Sequence, residues 1–187
     1  MNLQSILDKW NIKIDYHTIL DMWNESHRHY HNLNHLADLI EWIKEDFGIG
    51  EFDEKTMEKL IIVALFHDIV YNPGENDNEE KSADFLMSVA TDKSNKDILE
   101  IKEAILDTKT HDSSSKLSEL FNKYDMSVVE DDFDDLLDWE RGIHMEFRQF
   151  GEKYKQGRLK FLESLLDKYP NNSENLLKLI EWVKENY

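Results

Sequence analysis

The chain has 187 residues and a mass of 22.3 kDa, enough for one domain that buries about 70% of the surface its unfolded form would expose. The absence of cysteine excludes a disulfide framework, a thiolate zinc site and a cysteine nucleophile. The 22 basic and 40 acidic residues leave a net charge of −18, a field that repels nucleic-acid polymers and anionic membranes.

The residues from Met1 to Asp8 show no basic segment followed by an apolar one, so no signal segment is expected. The longest apolar run, Leu60 to Phe66, falls far short of the ~20 residues that a membrane span requires. A cytoplasmic protein is expected. Two prolines and six glycines supply too few turns for a many-stranded sheet. Apolar residues recur instead at three- and four-residue spacing, as in Leu33, Leu36, Leu39, Ile40 and Ile43, or Leu176, Leu179, Ile180 and Val183. That period predicts an all-α chain.

In chain order the helices are predicted near 4–10, 15–27, 33–47, 54–69, 79–91, 96–109, 116–124, 132–149, 153–168 and 174–185. Gly48 follows the last periodic residue of the third helix and is expected to cap it. Asp53 can cap the free amides of the fourth. Ser94 with Asp97 resembles a capping box. Pro73-Gly74 and Pro170-Asn171-Asn172 interrupt the helical pattern. No repeat or linker is visible, and a single domain over 1–187 is expected.

The fourth helix is apolar on all sides from Leu60 to Phe66, which predicts burial all round, yet it runs directly into His67 and Asp68. Burying two such groups requires compensation, and a helix C-terminus favours a cation. A second reading makes His67 a core histidine bonded to a carbonyl, with Asp68 capping the next turn. Four of the eight histidines, His27, His29, His31 and His35, cluster just before and within the third helix. If helical, His27, His31 and His35 share a face. The alternative is a solvated loop, the reading adopted for His27 and His29.

Three stretches, in order, carry a resemblance: Arg28-His29-Tyr30-His31-Asn32-Leu33-Asn34-His35-Leu36, Ala64-Leu65-Phe66-His67-Asp68-Ile69-Val70-Tyr71, and Asn78-Glu79-Glu80-Lys81-Ser82-Ala83. They resemble the HD superfamily of metal-dependent phosphohydrolases, and more closely a bacterial branch that shares all three. The likeness continues through Thr108 to His111, Asp125-Met126-Ser127, Ile143 to Phe147 and Gly157-Arg158, covering about residues 15–166. The last helix lies outside it.

The resemblance implies an all-helical HD-type bundle in which His35, His67, Asp68 and Asp125 bind a divalent metal ion. His31 competes with His35 for the first position. Asp125 is preferred to Asp131, Asp132, Asp134 and Asp135 because Met126-Ser127-Val128-Val129 follows it, as in the branch. The run Glu130 to Asp138 reads as a solvated helix start. His31 and His111 match further histidines of the branch, suited to a second metal or a substrate phosphate. Imidazole and carboxylate donors suit Mn, Fe, Ni, Co, Zn or Mg, and such an ion can polarise a phosphoryl oxygen and activate water.

The implied activity is a metal-dependent phosphohydrolase acting on a small phosphate ester, nucleotides included. Asp68 is the first catalytic candidate, as ligand and as orienter of water. Glu79 is the second, with a first-turn acidic residue as its alternative. Arg28, Lys81 and Arg158 are the candidates for holding substrate against the −18 field; each has a surface or helix-pairing alternative. Tyr30 and Tyr71 flank motif histidines and either wall a pocket or pack at helix ends. The expected partner is a small phosphorylated substrate, with no nucleic-acid polymer and no membrane, and the oligomeric state is left open. Two other functions stay open as well: a di-iron oxygenase of the same superfamily, and a non-catalytic helical module that binds a nucleotide or a protein.

Overall fold

The computed structural model describes residues 2–187. Among them are ten α-helices: α1 (Leu3–Lys9), α2 (Tyr16–Trp23), α3 (Leu33–Ile49), α4 (Glu54–Phe66), α5 (Asn78–Val89), α6 (Lys96–Asp107), α7 (Lys116–Asp125), α8 (Phe133–Phe147), α9 (Glu152–Lys168) and α10 (Ser173–Asn186). The described residues contain no strand, only an isolated bridge between Ile12 and Ala90. The all-α fold class is as the apolar period predicts, and no helix is long and apolar enough to cross a membrane among the described residues.

Several boundaries differ from the expected ones, each for a local reason. Helix α3 runs through Gly48 and stops at Gly50, whose φ of 87° is open to glycine. The Gly50 amide donates to Phe47 O and the Glu51 amide to Asp46 O, the paired bonds of a Schellman end. Helix α6 is capped by Asn95, which accepts from the Asp97 amide; the Ser94 hydroxyl donates instead to Asp92. Asp53 caps α4 by accepting from the Thr56 amide at 2.8 Å. Helix α2 ends at Trp23, so His27 and His31 lie on a turn segment and share no helical face.

The chain forms two compact units, the first ending at Asp125 and the second spanning Met126–Tyr187, where no linker marks a boundary in the sequence. In the first, α4 packs against α3, α5, α6 and α7. It is buried along its length from Met57 to Phe66, a burial that follows from its all-round apolar surface. Its two buried charges are compensated: Glu58 accepts from Lys9 Nζ at 2.7 Å and Trp10 Nε1 at 2.9 Å, and Lys59 donates to Glu100 at 2.6 Å.

In the second unit α10 packs against α8 and α9. Glu140 is fully buried there. It accepts from Tyr154 Oη at 2.6 Å and from Arg158 Nε at 2.5 Å, while the Arg158 guanidinium lies 4.1 Å from the centre of the Trp139 ring.

Candidate metal centre

The end of α4 explains how polar groups come to stand inside an apolar core. A helix terminus leaves carbonyls without intrahelical partners, and here side chains satisfy them. His67 Nδ1 lies 3.1 Å from Ala64 O. Trp23 Nε1 donates to Leu65 O at 3.0 Å, and the Ile69 amide donates to Phe66 O at 3.3 Å. Arg28 donates to Asp68 O at 2.9 Å and to Ile69 O at 3.2 Å. The chain can therefore leave the helix with its backbone satisfied and its His67 and Asp68 side chains turned to one place.

A carbonyl can only accept, so His67 Nδ1 carries a proton and Nε2 is the atom left for other work. That atom is buried and has no hydrogen-bond partner. It sits 3.3 Å from Asp68 Oδ2 and 3.5 Å from Asp125 Oδ1. Trp23 and Phe121 pack on the His67 ring, with centroids 5.4 and 5.0 Å away.

From α3, His35 Nε2 reaches Asp125 Oδ1 at 3.1 Å. From the turn after α6, His111 Nε2 reaches Asp125 Oδ2 at 3.2 Å. His31 Nε2 lies 3.8 Å from Asp68 Oδ2. Two carboxylates thus stand among four imidazoles. One donor atom each from His35, His67 and Asp125 lie within 4.8 Å of one another. Asp68 adjoins this triad through His67.

The electrostatics match a cation position. Burial by itself would lower the His67 pKa, but the neighbouring carboxylates of Asp68 and Asp125 outweigh it and raise it to about 9. Burial alone would raise the Asp125 carboxyl; the positive charge of His67 and hydrogen bonds from His111 and His35 instead hold it well below the usual carboxylate range. Positive charge is wanted between the two carboxylates, where it takes the form of a proton on His67. The buried, unpartnered Nε2 and a donor set of two imidazoles and one or two carboxylates fit a borderline or hard divalent ion.

The remaining candidates sit as follows. Glu79, in the first turn of α5, lies 3.6 Å from Lys109. Lys81 is 2.8 Å from Asp77 and also pairs with Glu75. Two of the substrate-binding candidates are buried. The Arg28 side chain is fully buried and spends its donors on carbonyls. Arg158, in the second unit, is 8% exposed; its Nε is bonded to Glu140, and its Nη2 is buried without a hydrogen-bond partner. His27 Nε2 lies 2.8 Å from Tyr71 O and its ring stacks on Tyr71, whereas His29 is exposed.

Sequence reading missed the parts played by Asn78, Ser82, Trp23 and Phe121. Asn78 Oδ1 accepts from the Asn72 amide at 3.0 Å and Nδ2 returns a bond to Asn72 O at 3.1 Å. Ser82 Oγ accepts from the Val70 amide and donates to Val70 O. These two residues hold the segment that follows Asp68, and their place in the third quoted stretch is the signal that could have found them. Trp23 and Phe121 carry no mark that distinguishes them from core aromatics.

In comparisons with family models, with curated proteins and with solved structures, the chain matches none.

Proposed function

We propose that this chain is a metal-dependent phosphohydrolase of the HD type that acts on a small phosphate ester, nucleotides included. The reading rests on one observation: His67 Nε2, buried and unpartnered, faces Asp68 and Asp125 and shares a donor cluster with His35 and Asp125. Bound there, a divalent ion would supply Lewis acidity toward a phosphoryl oxygen and a lowered pKa for water.

The protein's own residues have distinct parts in this proposal. His35, His67 and Asp125 hold the ion, and Asp125 also orients His111. Asp68, with its side chain 15% exposed against 11% for Asp125, is the carboxylate outside the donor triad and is assigned to the water. Its Oδ2 orients that water and takes its proton. His31, 21% exposed, donates to a phosphoryl oxygen. Glu79 has the lesser claim, since Lys109 already engages it.

The test is elemental analysis of protein purified without chelator, followed by phosphate-release assays against nucleotides and sugar phosphates. Bound metal with release that is lost in Asp68→Ala supports the proposal. Metal-free protein that cannot be loaded with Mn, Fe, Ni, Co, Zn or Mg overturns it. A second reading draws on the two further imidazoles, His111 on Asp125 and His31 near Asp68, which are enough donors for a di-iron oxygenase. Anaerobic iron loading with Mössbauer spectra separates the two: a mixed-valent pair that reacts with oxygen favours the oxygenase.

A further inference from the structure

We propose that Arg28 is a positioning residue that sets the separation between His31 and Asp68; the inference rests on the metal-centre reading above. The two residues belong to different pieces of chain, a turn segment before α3 and the exit from α4. Their side chains approach to 3.8 Å, and nothing in the covalent structure dictates that distance. Arg28 joins the pieces. One nitrogen, Nη1, donates to His31 O at 3.1 Å and to Asp68 O at 2.9 Å, and Nη2 donates to Ile69 O at 3.2 Å.

Every element of the surroundings favours this role over contact with substrate. The side chain has no exposed surface. Its guanidinium lies 5.3 Å from the centres of both the Trp23 and Tyr71 rings, so aromatic faces cover it. Nε is engaged by Glu25 at 3.1 Å, which balances the charge. A planar fork with donors in fixed, spread directions is pre-organised to hold three carbonyls at once, whereas the three donors of a lysine radiate from one atom on a flexible stem. The positive group also faces the carbonyl end of α4, where the helix dipole favours it.

The experiment compares parent, Arg28→Ala and Arg28→Lys by two readouts: histidine-ring NMR of the metal-free proteins, and visible spectra during cobalt(II) titration. In Arg28→Ala the His31 ring signals should shift, and cobalt affinity should fall ~10-fold, the scale seen when groups behind a ligand are lost. Methylguanidinium at millimolar concentration should restore both. Arg28→Lys should not recover them, and it carries the same comparison if the alanine variant does not fold.

Ring signals and cobalt affinity equal to the parent's would overturn the proposal. So would a raised KM with unchanged kcat toward any ester the parent hydrolyses, since that marks a substrate contact. If the parent itself takes up no cobalt, the metal-centre reading falls. The ring signals still decide the role of Arg28: shifted and restored supports it, unmoved overturns it.

Discussion

His111 reaches Asp125 from a strained position: its backbone φ is 54°, and its Nε2 lies 3.2 Å from Asp125 Oδ2. A residue with a Cβ rarely adopts the left-handed region. The chain here tolerates a cost of about 1 kcal/mol and thereby places an imidazole on the carboxylate oxygen that His35 and His67 do not use.

The two terms can be separated. His111→Gly relieves the backbone and His111→Ala does not, while both remove the imidazole. The glycine variant should be the more stable by about 1 kcal/mol, measured by thermal melting. Both variants should lose cobalt affinity equally. Equal melting temperatures would show that the φ value carries no cost.

Replacing His67 or Asp68 by alanine should abolish phosphate release, and for His67→Ala stoichiometric metal binding as well, while the helical far-UV signal persists. A non-catalytic module predicts the opposite: the same substitutions change stability modestly and remove no activity. A variant that hydrolyses as the parent does would disprove the catalytic assignment.

Chelation should lower the melting temperature as well as inactivate. An ion that binds only the folded state stabilises it by about 2.7 kcal/mol when free metal stands at 100 times Kd. Melting curves with and without EDTA measure this, and identical curves would argue against a resident ion.

In the metal-free protein, stability should follow the His67 proton. Its folded pKa, raised from 6.5 to about 9, means that the contribution is full below pH 6.5 and lost as pH rises through 9. Asp125, depressed in the fold, contributes above its ordinary carboxylate range and loses that contribution as pH falls. Melts in EDTA should therefore be highest between about pH 4.5 and 6.5 and should decline toward pH 9. In His67→Gln the alkaline decline should vanish. Metal binding near pH 7 should release a proton, because the ion replaces it.

Arg158→Ala should act on stability. Glu140 is fully buried, and stripping a buried ion of its partner costs about 3–5 kcal/mol. KM should not change in the folded fraction. A raised KM with unaltered melting would restore the substrate-binding role expected from sequence.

Much of the fold is legible because helix ends obey local chemistry. Asp53 is identifiable as a cap from its position alone. Gly48 and Gly50 are not distinguishable in this way: both are glycines near the end of an apolar stripe, and only the Schellman bonds of Gly50 and Glu51 select one. The end of α4 is harder still. Its apolar period runs on through Ile69 and Val70, yet the helix stops at Phe66; from about 40 residues earlier in the chain, Trp23 takes the Leu65 carbonyl and Arg28 the Asp68 carbonyl just beyond the end. Arg28 and Arg158, two candidates for holding substrate, share a feature that the sequence does not display. A guanidinium in a sequence carries no sign of burial, and only tertiary contacts show Arg28 bonded to carbonyls and to Glu25, and Arg158 Nε bonded to Glu140 while its Nη2 has no partner. For His35, His67 and Asp125 the resemblance already implies convergence on one ion; their separations, and the approach of His111 to Asp125, come only from the tertiary structure.

His35 and Asp125 are 90 positions apart along the polymer, and the hydrogen bond between them closes a loop of that length. Such a closure costs entropy that grows slowly with loop length, and contacts this distant in sequence slow folding. A ribosome must have made the three intervening helices, α4, α5 and α6, and released α7 before these donors can gather. Any cation captured there acts as a removable cross-link fastened onto an already assembled scaffold.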